Sequence, residues 1–449
     1  PAAGPEPDAP TPTLTPTIDM SFWSRIERRL SNIADELLLD DYRFQVSEAE
    51  ALVAKGEVRQ AADILTAVLA DKPDHAAAAS ILGVARLELG DAPGALAAFD
   101  VALAVRGDLP EALLGRGEAL LALGRWGQAI EPFQRAVEEA RGVRPMLAAA
   151  YRGLGLAYRR TGDVDKAVRE LRKAVAEDSG DPLARAALGE ALLADDRVSN
   201  DEARRHLEQA VAPPEPRGDG TPPAGDPPPA IGFLALGRLA LDDELPSSAE
   251  PLFQRALAIA AASPFPGARI EHIEALLGLG ETAMRLGDAG RAHDHLLRAL
   301  ALDPRRADLH ARLGDAHRMI GSAEAALSSY ERALALGGDG EVRRRALDTA
   351  IEARALDTAV RLANETLSAD ASDPAALVAR ALAFAHDGQL EAARATLRHA
   401  VHDRDDPGAR CALGRIELDA DPSPAAGERA AACALAALRL APADSRARA

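Results

Sequence analysis

Four histidines crowd into one short stretch, His293, His295, His310 and His317. Clustered imidazoles are the first place to look for a metal centre, because a neutral ring nitrogen is a common ligand for zinc and its neighbours. A metal would need the four rings to converge. His310 and His317, however, stand where Tyr151 and Tyr158 stand earlier in the chain, at matching intervals from the glycines described below. Those are places where two helices pack, and packing accounts for the histidines better than ligation does. The two cysteines, Cys411 and Cys433, are too few for a disulfide framework and read as small core residues. The many glycines never follow a strand-like run, so they do not read as phosphate-binding loops. The triplet Arg343, Arg344 and Arg345 reads as a solvated face, with a local patch for an acidic partner as the alternative. No catalytic constellation, cofactor site or metal site is therefore expected, and the chain reads as a non-enzyme.

The elements that carry these residues repeat. Residues 76–109 contain Leu82-Gly83, Gly90, Ala95, Phe99 and Ala102, and residues 110–143 contain Gly117, Gly124, Ala129, Phe133 and Ala136. Residues 148–181, 273–306 and 307–340 repeat the theme around Gly155, Gly280 and Gly314. The same offsets recur, with gaps, in units starting near 42, 182, 230, 374 and 407, while the unit near 340 has neither glycine. A period of about 34 residues marks a stacked helix pair that cannot bury its apolar face alone. The first glycine, lacking a side chain, lets the second helix approach. The second lies where the chain leaves the first helix, a place that favours a left-handed residue. The alanines face neighbouring helices at close range, and Phe99, Phe133, Phe253 or Tyr330 fills the gap between them.

This pattern resembles the tetratricopeptide repeat. The resemblance covers nearly all of the chain after residue 41. It implies an all-α fold, a right-handed α-α superhelical solenoid of about eleven helix–turn–helix units.

The chain is expected to divide as follows. Residues 1–19, rich in Pro and Thr, read as a disordered tail or linker. Residues 20–41 read as an amphipathic helix with Ser24 and Glu27 at capping-box spacing, which either covers the first repeat or docks on a partner. An N-terminal array (42–211), a Pro-rich flexible loop (212–229) and a C-terminal array (230–449) follow. Smaller insertions fall near 141–145 and 262–272. The chain begins at Pro1, which leaves room for a removed upstream segment.

A net charge of −18 disfavours nucleic acid and anionic membrane as partners and favours basic segments of proteins. No apolar run is long enough to span a membrane, and a cytoplasmic location is the default expectation.

What the resemblance implies about function is protein binding along a groove lined by the first helices. By repeat register the apolar groove positions include Val84, Leu114, Leu121, Leu156, Leu193, Leu234 and Leu277. Glu118, Glu190 and Glu281 are interspersed acids, and Arg152 and Arg238 are positive members. Such a groove suits an apolar, partly basic segment. The alternative is that these leucines pack on one another inside the stack. Family members that clamp C-terminal carboxylates use asparagine and lysine in the first helices. This chain has no asparagine at matching positions and only four lysines, so that mode is not expected. The reading is a scaffold or adaptor. Its rivals are the regulatory arm of a signalling enzyme lying upstream of Pro1, and an assembly subunit of an envelope or motility machine anchored through the Phe22–Leu37 helix.

Overall fold

The structure is a computed structural model that describes residues 42–140, 142–195, 200–212, 228–262, 268–403, 406–420 and 423–440. The expected tail (1–19), the expected amphipathic helix (20–41) and the centre of the Pro-rich stretch (213–227) lie outside the described residues.

The described residues form 22 α-helices in eleven successive pairs and contain no strand. In chain order the first six pairs are α1 (Arg43–Ala54) with α2 (Val58–Asp71), α3 (Ala76–Glu88) with α4 (Ala92–Val105), α5 (Pro110–Ala122) with α6 (Trp126–Glu139), α7 (Arg144–Arg160) with α8 (Val164–Glu177), α9 (Pro182–Leu193) with α10 (Asn200–Val211), and α11 (Ala230–Asp242) with α12 (Pro246–Ala262). The remaining five are α13 (Ala268–Arg285) with α14 (Ala289–Leu302), α15 (Ala307–Ile320) with α16 (Ala323–Ala335), α17 (Gly340–Glu352) with α18 (Leu356–Ala369), α19 (Pro374–His386) with α20 (Leu390–Asp403), and α21 (Pro407–Ala420) with α22 (Pro424–Leu440). This is the all-α solenoid that the period predicts.

The chain falls into two compact units, Pro1–Gly278 and Leu279–Ala449. In the first, each helix from α1 to α11 packs on the next, and each first helix from α1 to α9 also packs on the first helix of the following pair. The helices on either side of the Pro-rich stretch meet directly, since α11 packs on both α9 and α10. In the second, the same neighbour-on-neighbour packing runs from α14 to α22.

Turns between the two helices of a pair follow the glycine rule. Gly90, Gly124, Gly162, Gly287 and Gly321 all have φ between 71° and 86°. At the equivalent places two pairs carry Glu244 (φ 60°) and Arg354 (φ 56°), so side chains occupy a left-handed conformation that costs about 1–2 kcal/mol. Arg354 explains how the irregular unit near 340 folds without its glycine: it makes the same turn under strain. Aspartates then cap the second helices. Asp91 accepts from the Gly94 N–H at 2.9 Å, and Asp288 from the Arg291 N–H at 3.0 Å.

The core is built around rings seated between glycines. Phe99, Phe133, Phe253 and Tyr330 are fully buried. A methyl group on Gly83 would lie 2.6 Å from the Phe99 ring, and one on Gly117 would lie 2.6 Å from that of Phe133, both inside contact range. This is the close approach expected of the first glycine. A second glycine, contributed by the next pair, faces the same ring: Gly115 on Phe99, Gly153 on Phe133 and Gly278 on Phe253. Each benzyl group thus fills a slot cut by two missing side chains, one on its own first helix and one on the next.

Candidate protein-docking surface on the first helices

The positions singled out as a groove all lie on first helices, but the structure treats them in three ways. Val84, Leu114, Leu121 and Leu234 are buried, and the first three belong to a single apolar cluster with Leu87, Phe99 and Phe133. Here consecutive first helices close on one another, so these side chains hold the stack together. Leu156, Leu193 and Leu277 are half-buried. Leu156 lies against the clusters on both sides of it, and Leu193 against those of α8–α10 and α10–α11. They leave part of their apolar surface to solvent.

The charged positions form a ladder that the sequence reading missed. Arg152 on α7 donates through Nη1 to the Asp181 carboxylate at 2.7 Å, and both side chains are buried. Asp181 also accepts from the Leu183 and Ala184 N–H groups, so one carboxylate caps α9 and ties it to α7. Arg159, two turns further on, pairs with Glu190 of α9. Glu190 in turn lies 3.9 Å from Arg238 of α11, and Arg238 donates to Glu274 of α13 at 2.9 Å. Four successive first helices of the first unit are therefore linked by alternating charges. Arg160 lies beside the ladder, near Arg159 and Glu190. Burial and the neighbouring Arg159 push its guanidinium down to about 10, and its Nη1 is buried without a hydrogen bond.

The second unit has its own set. Arg312 bridges Glu281 and Asp315, each at 3.8 Å. Asp315 also receives Arg345 at 2.7 Å and the Tyr330 hydroxyl, which donates at 2.6 Å. Burial and this carboxylate push the Tyr330 hydroxyl up, fixing it as a donor. Arg345 of the triplet is thus an ion-pair partner, whereas Arg344 is exposed. Of the interspersed acids, Glu190 and Glu281 already hold arginines, and Glu118 is half-buried on α5. Arg238 is exposed with both carboxylate partners beside it.

The histidines do not converge. His293 and His317 meet edge to face, with ring centroids 5.1 Å apart. Burial, with His293 alongside, holds His317 below the usual imidazole range. His310 turns its Nε2 to the Pro304 carbonyl at 3.1 Å. Among the described residues there is no group of three or more potential metal ligands, and no helix long and apolar enough to cross a membrane. Cys411 and Cys433 are half-buried thiols, and burial pushes Cys433 up.

Two models of the tetratricopeptide repeat match, one at residues 108–176 and the other at 46–110, 152–219 and 277–341. The chain belongs to the tetratricopeptide repeat family. Family membership supports a protein-interaction scaffold in general terms. Among solved structures the chain is similar to MamA (residues 41 to the end) from Desulfovibrio magneticus RS-1, at 23% identity over 38% of this chain and 93% of that one, with a TM-score of 0.34. It is also similar to PilW, described as a widely conserved type IV pilus biogenesis factor, at 19% identity over 50% of this chain and 93% of that one, with a TM-score of 0.42. A third is the human IFIT1 dimer with PPP-AAAA, at 17% identity over 71% and 79%, with a TM-score of 0.40. No curated protein matches the chain in sequence.

Proposed function

We propose that this tetratricopeptide repeat protein is a non-catalytic scaffold that holds segments of other proteins on the face shared by its first helices. The observation that carries the reading is the half-buried leucine set, Leu156, Leu193 and Leu277, standing at first-helix register among paired charges. A partner that completes the burial of such a leucine gains up to about 1 kcal/mol by area, before the cost of association. The charge ladder beside the leucines sets which partners fit. A segment crossing it must match alternating signs rather than a uniformly acidic wall, which favours apolar segments with a few placed charges over strongly basic ones.

The test is capture of partners by the whole chain and by the double variant Leu156→Glu/Leu193→Glu. Both leucines keep exposed surface, so the variant is expected to retain helicity by circular dichroism and to lose its partners. A folded variant that captures the same proteins as the parent would move the site away from this face.

A further inference from the structure

Glu88 ends α3, one helical turn beyond Val84 on the first-helix face. It is 5% exposed, and both carboxylate oxygens are buried with no hydrogen-bond partner. Other buried acids on this face have cations: Asp181 holds Arg152, and Glu190 holds Arg159. Glu88 has lost its hydration and gained nothing in exchange. Its place at a helix C-terminus adds the partial negative charge of the last carbonyls. Burial alone pushes the carboxyl up to about 7, so near neutral pH it is poised between its neutral and charged forms.

We propose that Glu88 is the receptor for a basic side chain, lysine or arginine, carried by the protein segment that this face binds. This rests on the reading of the first-helix face as the docking surface, and it names the chemistry of one contact there. Val84 and Leu87, buried on the same helix, make the setting of the carboxylate apolar, which strengthens its pull on a cation that reaches it. Glu50 and Glu118, which stand at the register of Val84 on α1 and α5, are further acids on this face, and a net charge of −18 steers cations toward the chain. A metal ion fits less well, because a hard cation needs several oxygen ligands and the described residues offer no group of three. A docked cation stabilises the ionised form. Binding therefore expels a proton wherever Glu88 was protonated, and affinity rises as the pH climbs through 7.

The test uses the full chain and two labelled 16-residue leucine-rich helical peptides. One has a central arginine and the other citrulline, the uncharged analogue of the same shape. The arginine peptide is expected to bind at least tenfold more tightly at pH 8, with the preference shrinking at pH 6. Glu88→Gln is expected to abolish the preference while leaving the citrulline peptide's affinity unchanged. Calorimetry in two buffers of different ionisation enthalpy supplies a readout that needs no variant: protons are released at pH 7 with the arginine peptide and not with its twin. Equal binding of both peptides to the parent chain would overturn the proposal and leave the docking face standing. A preference that survives Glu88→Gln would place the cation elsewhere and overturn it too. If neither peptide binds, the proposal and the docking face fall together.

Discussion

Gly115→Ala adds one methyl group to a buried helix, a change that ordinarily stabilises a helix by about 1 kcal/mol. Here the sign should reverse. The new Cβ would fall on the Phe99 ring, closer than real Cβ atoms approach other heavy atoms. The ring has no room to retreat, because Phe99 is fully buried and its other contact is Gly83, where an added methyl would sit 2.6 Å away. Overpacking of this kind costs about 1–3 kcal/mol, and a contact this close falls in the upper half of that range, so after the propensity gain the net loss is about 1–2 kcal/mol. The chain contains its own control. Where the buried residue is Leu171 or Leu207 rather than Phe, the facing position on the next first helix is Ala187 or Ala235. Gly115→Ala should therefore become stabilising by about 1 kcal/mol in a Phe99→Leu background, giving a coupling of about 2 kcal/mol in a double-mutant cycle. A repeat array opens locally, so the assay is native-state hydrogen exchange over residues 76–122, with urea midpoints in support. A Gly115→Ala variant as stable as the parent, or a coupling near zero, would refute the two-glycine slot. Tyr330 faces Ala346 rather than glycine, so the slot rule holds for the phenylalanines and not for every ring.

The other predictions concern charge and strain. The folded pKa of Glu88 is raised from 4.5 to about 7, so the folded state holds the extra proton and stability falls as pH rises from about 4.5 to 7. Glu88→Gln should be nearly neutral at pH 4.5 and stabilising by up to about 3 kcal/mol at pH 8, and urea melts at the two pH values check this. Arg354→Gly should stabilise the α17–α18 pair by about 1 kcal/mol by relieving its left-handed backbone, read as slower exchange in residues 340–369; a loss of protection would contradict it. Asp181→Ala removes both the carboxylate that holds buried Arg152 and the cap of α9, and should cost about 3–5 kcal/mol. Asp181→Asn keeps a capping oxygen and should be milder by about 1 kcal/mol, and thermal melts of the two variants check both.

The repeat frame was readable because its determinants are local. A glycine, an alanine and a large apolar residue at set offsets describe one pair and its turn, and Gly90, Gly124, Gly162, Gly287 and Gly321 adopt the left-handed backbone that this frame requires. The second glycine of each ring slot was visible as Gly115-Arg-Gly117, Gly153-Leu-Gly155 and Gly278-Leu-Gly280, each following a phenylalanine in the preceding unit. Its meaning lies between repeats, which a single-unit pattern does not express. The ladder was hidden for a related reason. Arg159, Glu190, Arg238 and Glu274 come from helices separated by loops of unequal length, so no fixed spacing announces them. Register placed Leu114, Leu121, Leu156 and Leu193 on one face. It could not tell which of them the next first helix covers, and that is decided by the closeness of approach at each interface.

The central claim is that the first-helix face, not the opposite one, holds partner proteins. Site-specific photocrosslinking in cells tests it most directly, with a benzoylphenylalanine at position 193 on α9 or at position 101, an exposed valine on α4. The account predicts covalent protein adducts from position 193 and none above background from position 101. Adducts that form from position 101 while position 193 stays silent would contradict it.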